Sequence, residues 1–165
     1  MYFCLLIHGY NVNTKTVKQT IEIPSIAIKV QERIRWSDLD AAGILYFGNY
    51  IRLFEIGETE LFRAAGHPYS NKQFDELGIW MLRVQFNCTF LSSGYIDDLL
   101  SIYVWISHIG GASMDIQFVI CRDSTMLGHG ICTIVSTDRQ TKKAKRIPES
   151  LRNGLNPFIF NHGIQ

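Results

Sequence analysis

The chain has 165 residues, 47% of them hydrophobic and 19% charged, the proportions of one globular domain rather than a disordered segment. Sixteen basic residues against fifteen acidic ones leave a net charge of +1, which argues against the basic surface that nucleic acid or an anionic membrane selects. No run of 18 apolar residues occurs, so no membrane-spanning helix is predicted.

Residues 1–24 read as an N-terminal leader that ends at Pro24. Its apolar start, Met1 to Ile7, lacks both a basic flank and a small-residue cleavage site, so it does not read as a signal peptide. Residues 25–152 read as the domain and 153–165 as a tail. Within the domain, Ile26, Ile28 and Val30 alternate with Ala27, Lys29 and Gln31, the period of a strand that continues through Ile34 towards Trp36. Ser37 to Gly43 is small and polar, hence a loop. A helix is predicted from about Phe47 to Ala65, with Tyr50, Ile51, Phe54, Gly57, Leu61, Phe62 and Ala65 as its apolar stripe. Asn49 is a local cap, and Gly66 and Pro68 stop the helix.

Strands follow over residues 78–90, around Ile102–Ile106, from Met114 to Ile120 and over 126–136, with Gly110–Gly111 and Arg122–Ser124 as turns. One strand, one long helix and four strands make an α+β arrangement, an antiparallel sheet on a single helix. Several strands are apolar on both faces, so the face away from the helix is expected to need a partner surface, which suggests a dimer.

Chemistry is most concentrated in the loop before the helix. Asp38 and Asp40 stand between a strand end and a helix N-terminus, where free N–H groups can stabilise an oxyanion and a carboxylate can act as base or nucleophile. By itself D-x-D in a loop reads equally as an Asx-turn, a cap or a solvated turn. Cys4, Cys88, Cys121 and Cys132 form no C-x-x-C pair and read as reduced thiols of a cytoplasmic protein; the five histidines are scattered and outline no metal site.

Residues 35–66 carry D-x-D-x-x-G-x-x-Y-x-x-x-Y, here Asp38, Asp40, Gly43, Tyr46 and Tyr50, followed by a helix with an early Glu55 and a closing Gly66. This segment resembles the 4-hydroxybenzoyl-CoA thioesterase-like hotdog family. The likeness continues through Asp97-Asp98-Leu99-Leu100 and from Thr137-Asp138 to Ile147-Pro148-Glu149, covering about residues 26–152.

The resemblance implies a hotdog fold assembled as a homodimer or a tetramer of two dimers, with the active site at the dimer interface. It implies hydrolysis of an acyl-CoA thioester to free acid and CoA, without a metal or redox cofactor. Asp40 matches the catalytic carboxylate, as nucleophile or general base, and the backbone N–H of Phe47 matches the oxyanion donor. Tyr46, Asn49, Glu58 and Lys143 are the expected substrate-binding residues. Phe47 stands where many members carry His or Tyr, which points to a fatty or aromatic acyl group. Glu58 stands where many carry Arg, about 40° from Phe54 on the helical wheel and inside the apolar stripe; it is expected to pair with Arg35 or Arg83 or to face the pocket as a second acid. Gly110 to Ala112 lack the basic residues that some relatives place there, so Lys142, Lys143, Lys145 and Arg146 are the candidates for the CoA phosphates. The alternatives are an acyl carrier protein (ACP) as the thioester donor, and a non-catalytic acyl-CoA-binding hotdog protein.

Overall fold

The computed structural model of the protein describes residues 21–161. The expected leader therefore lies outside the described residues as far as residue 20, and the expected tail does so from residue 162. Five antiparallel strands form one sheet: β1 (Ile28–Arg33), β2 (Ile79–Phe90), β3 (Leu99–Ile109), β4 (Ser113–Arg122) and β5 (Thr125–Asp138), in the spatial order β1-β3-β4-β5-β2. The main helix, α1 (Asn49–Ala64), lies against β1, β3 and β4. This is the expected α+β hotdog arrangement.

Alternation makes the inner face of the sheet. Leu100, Ile102, Val104 and Ile106 of β3 stand beside Met114, Ile116, Phe118 and Ile120 of β4, all fully buried. From α1 they receive Leu53, Phe54, Leu61 and Phe62. Each such side chain contributes about 1.5–3 kcal/mol on burial. The buried stripe departs from the expected one at two positions. Ile51 is 49% exposed, while Leu53 is fully buried. The helix has turned its Leu53 side towards the sheet, because Gly57 sets the line of closest approach: a Cβ at Gly57 would lie 2.6 Å from a methyl of Val104.

The outer face of the sheet, expected to need a partner surface, is covered in part by the chain itself. Ile21, Ile23, Ile26 and Phe160 pack over Trp105, Val119 and Cys121. Two short helices were not foreseen. In α2 (Asn71–Leu77), Ser70 caps the start through the Gln73 N–H at 3.1 Å, and Gly78 ends the helix at φ +64°. In α3 (Glu149–Leu155), Leu151 and Leu155 are buried, so the boundary expected at residue 152 falls inside a packed helix. Arg152 and Ile147 bond to the carbonyls of Gly110 and Gly111, tying this end of the chain to the β3–β4 turn.

Strand β2 is an edge. It pairs with β5 on one side only, from Ile79↔Asp138 to Phe90↔Gly128, and exposes Leu82 and Val84. Gly57→Leu is expected to lower stability by about 3 kcal/mol, since the helix cannot move off β3 without opening the core; the shift of the urea midpoint measures it.

Candidate active site

The segment between β1 and α1 is held by Asp38. Its side chain is 6% exposed as a residue in the fold, and its Oδ2 accepts from the Arg35 N–H at 2.9 Å and meets Arg52 Nη2 at 3.0 Å. Its carbonyl accepts from the Tyr46 N–H and from Asn49 Nδ2, both at 2.9 Å. One residue thus fastens the end of β1, the loop and the first residue of α1 to one another.

Between these fixed points, Leu39 to Leu45 forms a tight reversal. The Asp40 N–H donates to the Ile44 carbonyl at 2.9 Å, and the Gly43 N–H to the Asp40 carbonyl at 3.0 Å. Gly43 sits at φ +75°, where a side chain would be strained. Asp40 Oδ1 accepts from the N–H groups of Ala42 at 2.8 Å and Ile44 at 3.4 Å. Asp40 therefore is an Asx-turn residue, and the turn aims it: one oxygen is anchored, and Oδ2 has no partner among the described residues.

The helix entry supplies the complementary charge. Asn49, Tyr50 and Ile51 donate to the carbonyls of Tyr46, Phe47 and Gly48, so the first turn satisfies its own donors. Just before it, the N–H groups of Phe47 and Gly48 have no acceptor among the described residues. The Tyr46 ring folds across Gly48, where a Cβ would lie 2.5 Å from its Cε1, and meets the Phe47 ring at 4.5 Å. A cavity of about 350 Å³ opens here, lined by Asp40, Leu45, Phe47, Tyr50, Phe90 and Leu91 among others. Asp40 and Phe47 both line it, and a free carboxylate oxygen with a free N–H on such residues can activate a nucleophile and stabilise an oxyanion.

Asp40 and Phe47 are brought together; the other expected residues divide. Tyr46 is not among the lining residues; its ring packs on Phe47, which is. The amide of Asn49 is engaged by the Asp38 carbonyl, so the residue holds the loop. Glu58 lies nine residues further along α1, roughly 13 Å at 1.5 Å per residue. It is fully buried, accepts from Tyr69 Oη at 2.5 Å and Arg83 Nε at 3.0 Å, and pairs with the Arg83 guanidinium. Of the expected roles it takes the ion pair with Arg83. Lys143 lies beyond the far end of β5, where its carbonyl accepts from the Asp138 N–H. The 14 residues of β5 separate it from the Leu127 end by roughly 40 Å. Within one protomer Lys143 is remote from Asp40.

Its loop is nonetheless well defined. Asp138 accepts from the N–H groups of Thr141 and Gln140 and pairs with Lys145, contacts that hold its carboxyl down at about 2. Arg139 stacks over Trp80 at 4.1 Å and pairs with Asp75. Lys143 and Arg146 have no ion pair among the described residues. Among the described cysteines, burial disfavours the thiolate: it pushes Cys88 and Cys132 up to about 12 and raises Cys121 as well.

Residues 34–155 match the sequence profile of the thioesterase-like superfamily. The chain belongs to this superfamily. It is 23% identical over 120 residues to the acyl-CoA thioester hydrolase YbgC of Escherichia coli, an alignment spanning 72% of this chain and 88% of the relative. It is 34% identical over 83 residues to the 4-hydroxybenzoyl-CoA thioesterase of a Pseudomonas strain, spanning 50% and 59%. Among solved structures, Slr0204, a 1,4-dihydroxy-2-naphthoyl-CoA thioesterase from Synechocystis, superposes with a TM-score of 0.71 at 14% identity, over 79% of this chain and 96% of that one. At that identity the superposition establishes the fold. The superfamily profile spans the whole segment from the Asp38 anchor to the end of α3.

A distinct pH dependence is expected from Glu58. Burial pushes its carboxyl above the ordinary carboxylate value, while Arg83 and Tyr69 pull it back only in part. The native state then holds a proton that the unfolded chain releases, so this group stabilises the fold fully below the unfolded-state pKa. Its contribution fades as pH rises through the higher native pKa. Urea unfolding of the wild type and of Glu58→Gln across this range is expected to show that falling component in the wild type only.

Proposed function

We propose that this protein is an acyl-CoA thioesterase, hydrolysing an acyl-CoA thioester to the free acid and CoA at the Asp40 cavity. The observation that carries the reading is that Asp40 and Phe47 line one apolar cavity, while Asp40 Oδ2 and the Phe47 N–H have no partner among the described residues. Curated relatives of this chain named as acyl-CoA thioester hydrolases support the choice of substrate. The thioester carbonyl oxygen points at the Phe47 N–H, and the acyl group lies along Leu45, Tyr50 and Phe90.

Asp40 acts by one of two routes. As general base it takes a proton from water while the water oxygen attacks the carbonyl carbon. As nucleophile its own oxygen attacks, and water then cleaves the resulting anhydride. Both routes expel the CoA sulfur as thiolate, which takes up a proton, and both put the developing oxyanion on the same N–H.

The same reading includes a homodimer joined along β2, alone or as half of a tetramer. Antiparallel pairing of β2 with its copy satisfies the open edge and covers Leu82 and Val84. It also sets the Ile79 end of one copy beside the Phe90 end of the other. The loop bearing Lys143 and Arg146 then comes from the second copy to the mouth of the Asp40 cavity, where the CoA phosphates need cations. That basic loop suits the acidic surface of an acyl carrier protein as well, which is the second reading of the donor. Free thiols at Cys88, Cys121 and Cys132 fit a reducing cytoplasm.

Asp40→Asn is expected to lower thiol release from acyl-CoA by about 10²–10⁴-fold with unchanged thermal unfolding. An Asn variant as active as wild type would remove Asp40 from the reaction. Val84→Asp, midway along the edge, is expected to yield a folded monomer by sedimentation and to lose turnover with the dimer.

A further inference from the structure

The cavity beside Asp40 has a rim and a floor of different character. Phe47, Phe90 and Leu91 form its exposed rim, whereas Leu45 and Tyr50 are buried. Tyr50, at 3% exposure, is the larger of the two floor residues. Its ring is seated against the backbone of β5, because position 128 is glycine: a Cβ there would lie 2.8 Å from Tyr50 Cε1. From the side, Phe90 meets the ring edge-on at 4.8 Å between centroids. These contacts hold the ring across the bottom of the cavity, and beneath it position 128 offers only the strand backbone. The hydroxyl has no hydrogen-bond partner among the described residues, so the ring is held by packing.

We propose that Tyr50 is a specificity-determining residue, the floor that sets the longest straight acyl chain the site accepts, with Gly128 as its seat. The inference rests on the reading that the Asp40 cavity holds the acyl thioester. An acyl chain entering past Asp40 meets the face of the Tyr50 ring and stops there. Compact acyl groups fit above it. Replacing the ring with a shorter side chain opens the space over Gly128, and the chain continues along β5.

The test compares kcat/KM for butanoyl-, octanoyl- and dodecanoyl-CoA, kept below micelle-forming concentrations, in wild type, Tyr50→Leu and Tyr50→Phe. The wild type is expected to favour the short ester. Tyr50→Leu is expected to raise the dodecanoyl-to-butanoyl ratio by at least about tenfold, since a single methylene admitted to an apolar pocket is worth that much. Tyr50→Phe keeps the ring and is expected to keep the wild-type ratio. Should Tyr50→Leu fail to melt cooperatively, Tyr50→Met is expected to raise the ratio in the same direction.

An unchanged ratio in a folded Leu or Met variant overturns the inference while leaving the thioesterase reading in place. So does a wild type that hydrolyses dodecanoyl-CoA as readily as butanoyl-CoA. A Tyr50→Phe variant that shifts as far as Tyr50→Leu overturns it as well, by assigning the effect to the hydroxyl. A wild type inactive on all three esters overturns the thioesterase reading, and this inference falls with it.

Discussion

The buried carboxylate of Asp38 has partners on both sides of the loop it sits in. Arg35 lies behind it, at the end of β1, and Arg52 reaches it from α1. Its carbonyl collects Tyr46 and Asn49 from the helix entry. Arg52 is also paired with Glu32 at 3.2 Å, so the two carboxylates share one half-buried cation, and removing the Asp38 charge would leave it with Glu32 alone. With Asp38 in place, the strand end and the helix start cannot drift apart, and the reversal carrying Asp40 has a fixed base. The proposed reaction would tolerate little displacement, and this anchoring is what holds Asp40 and the Phe47 N–H in register.

Two aspartates separated by one residue therefore have opposite duties, and their surroundings distinguish them. Asp38 is enclosed, and its Oδ2 is shared by the Arg35 N–H and Arg52. Asp40 is half-buried and lines the cavity, with Oδ1 fixed by two N–H groups and Oδ2 without a partner among the described residues. A second ionic cluster, Glu58 with Arg83 and Tyr69, lies apart from that cavity and braces α1 against the edge strand. Phe62, Tyr69, Phe74 and Trp80 continue from it as a chain of ring contacts, at 4.6, 5.1 and 5.8 Å in turn, reaching the basic loop at Arg139.

The strands and the main helix were legible because their periods are strong: inner-face residues recur at every second position from Leu100 to Ile106 and from Met114 to Ile120, and Gly66 marks the end of α1 by its left-handed backbone. That Asp40 and Phe47 line one cavity was legible because the spacing from Asp38 to Tyr50 lies within one loop and one helical turn. Three features were harder to read. The helix α2 carries its own signal, Ser70 three residues before Gln73 and a closing Gly78, but it is only seven residues long and sits among aromatic residues. Glycines 128 and 130 lie inside β5, within the strand expected over residues 126–136, but the room they leave for Tyr50 and Phe118 shows only in the packing. The distance between Lys143 and Asp40 depends on strand direction and length, which no local motif encodes. Ile51 and Leu53 exchanged roles because a wheel gives a stripe its width, while the contact at Gly57 decides which margin of it is covered.

The most direct test of the central claim is a crystal structure of Asp40→Asn with a slowly hydrolysed acyl-CoA. The account predicts the thioester oxygen within about 2.7–3.1 Å of the Phe47 nitrogen, with the acyl group in the cavity over Leu45 and Tyr50. A thioester bound elsewhere, or one whose carbonyl points away from the helix entry, would contradict it.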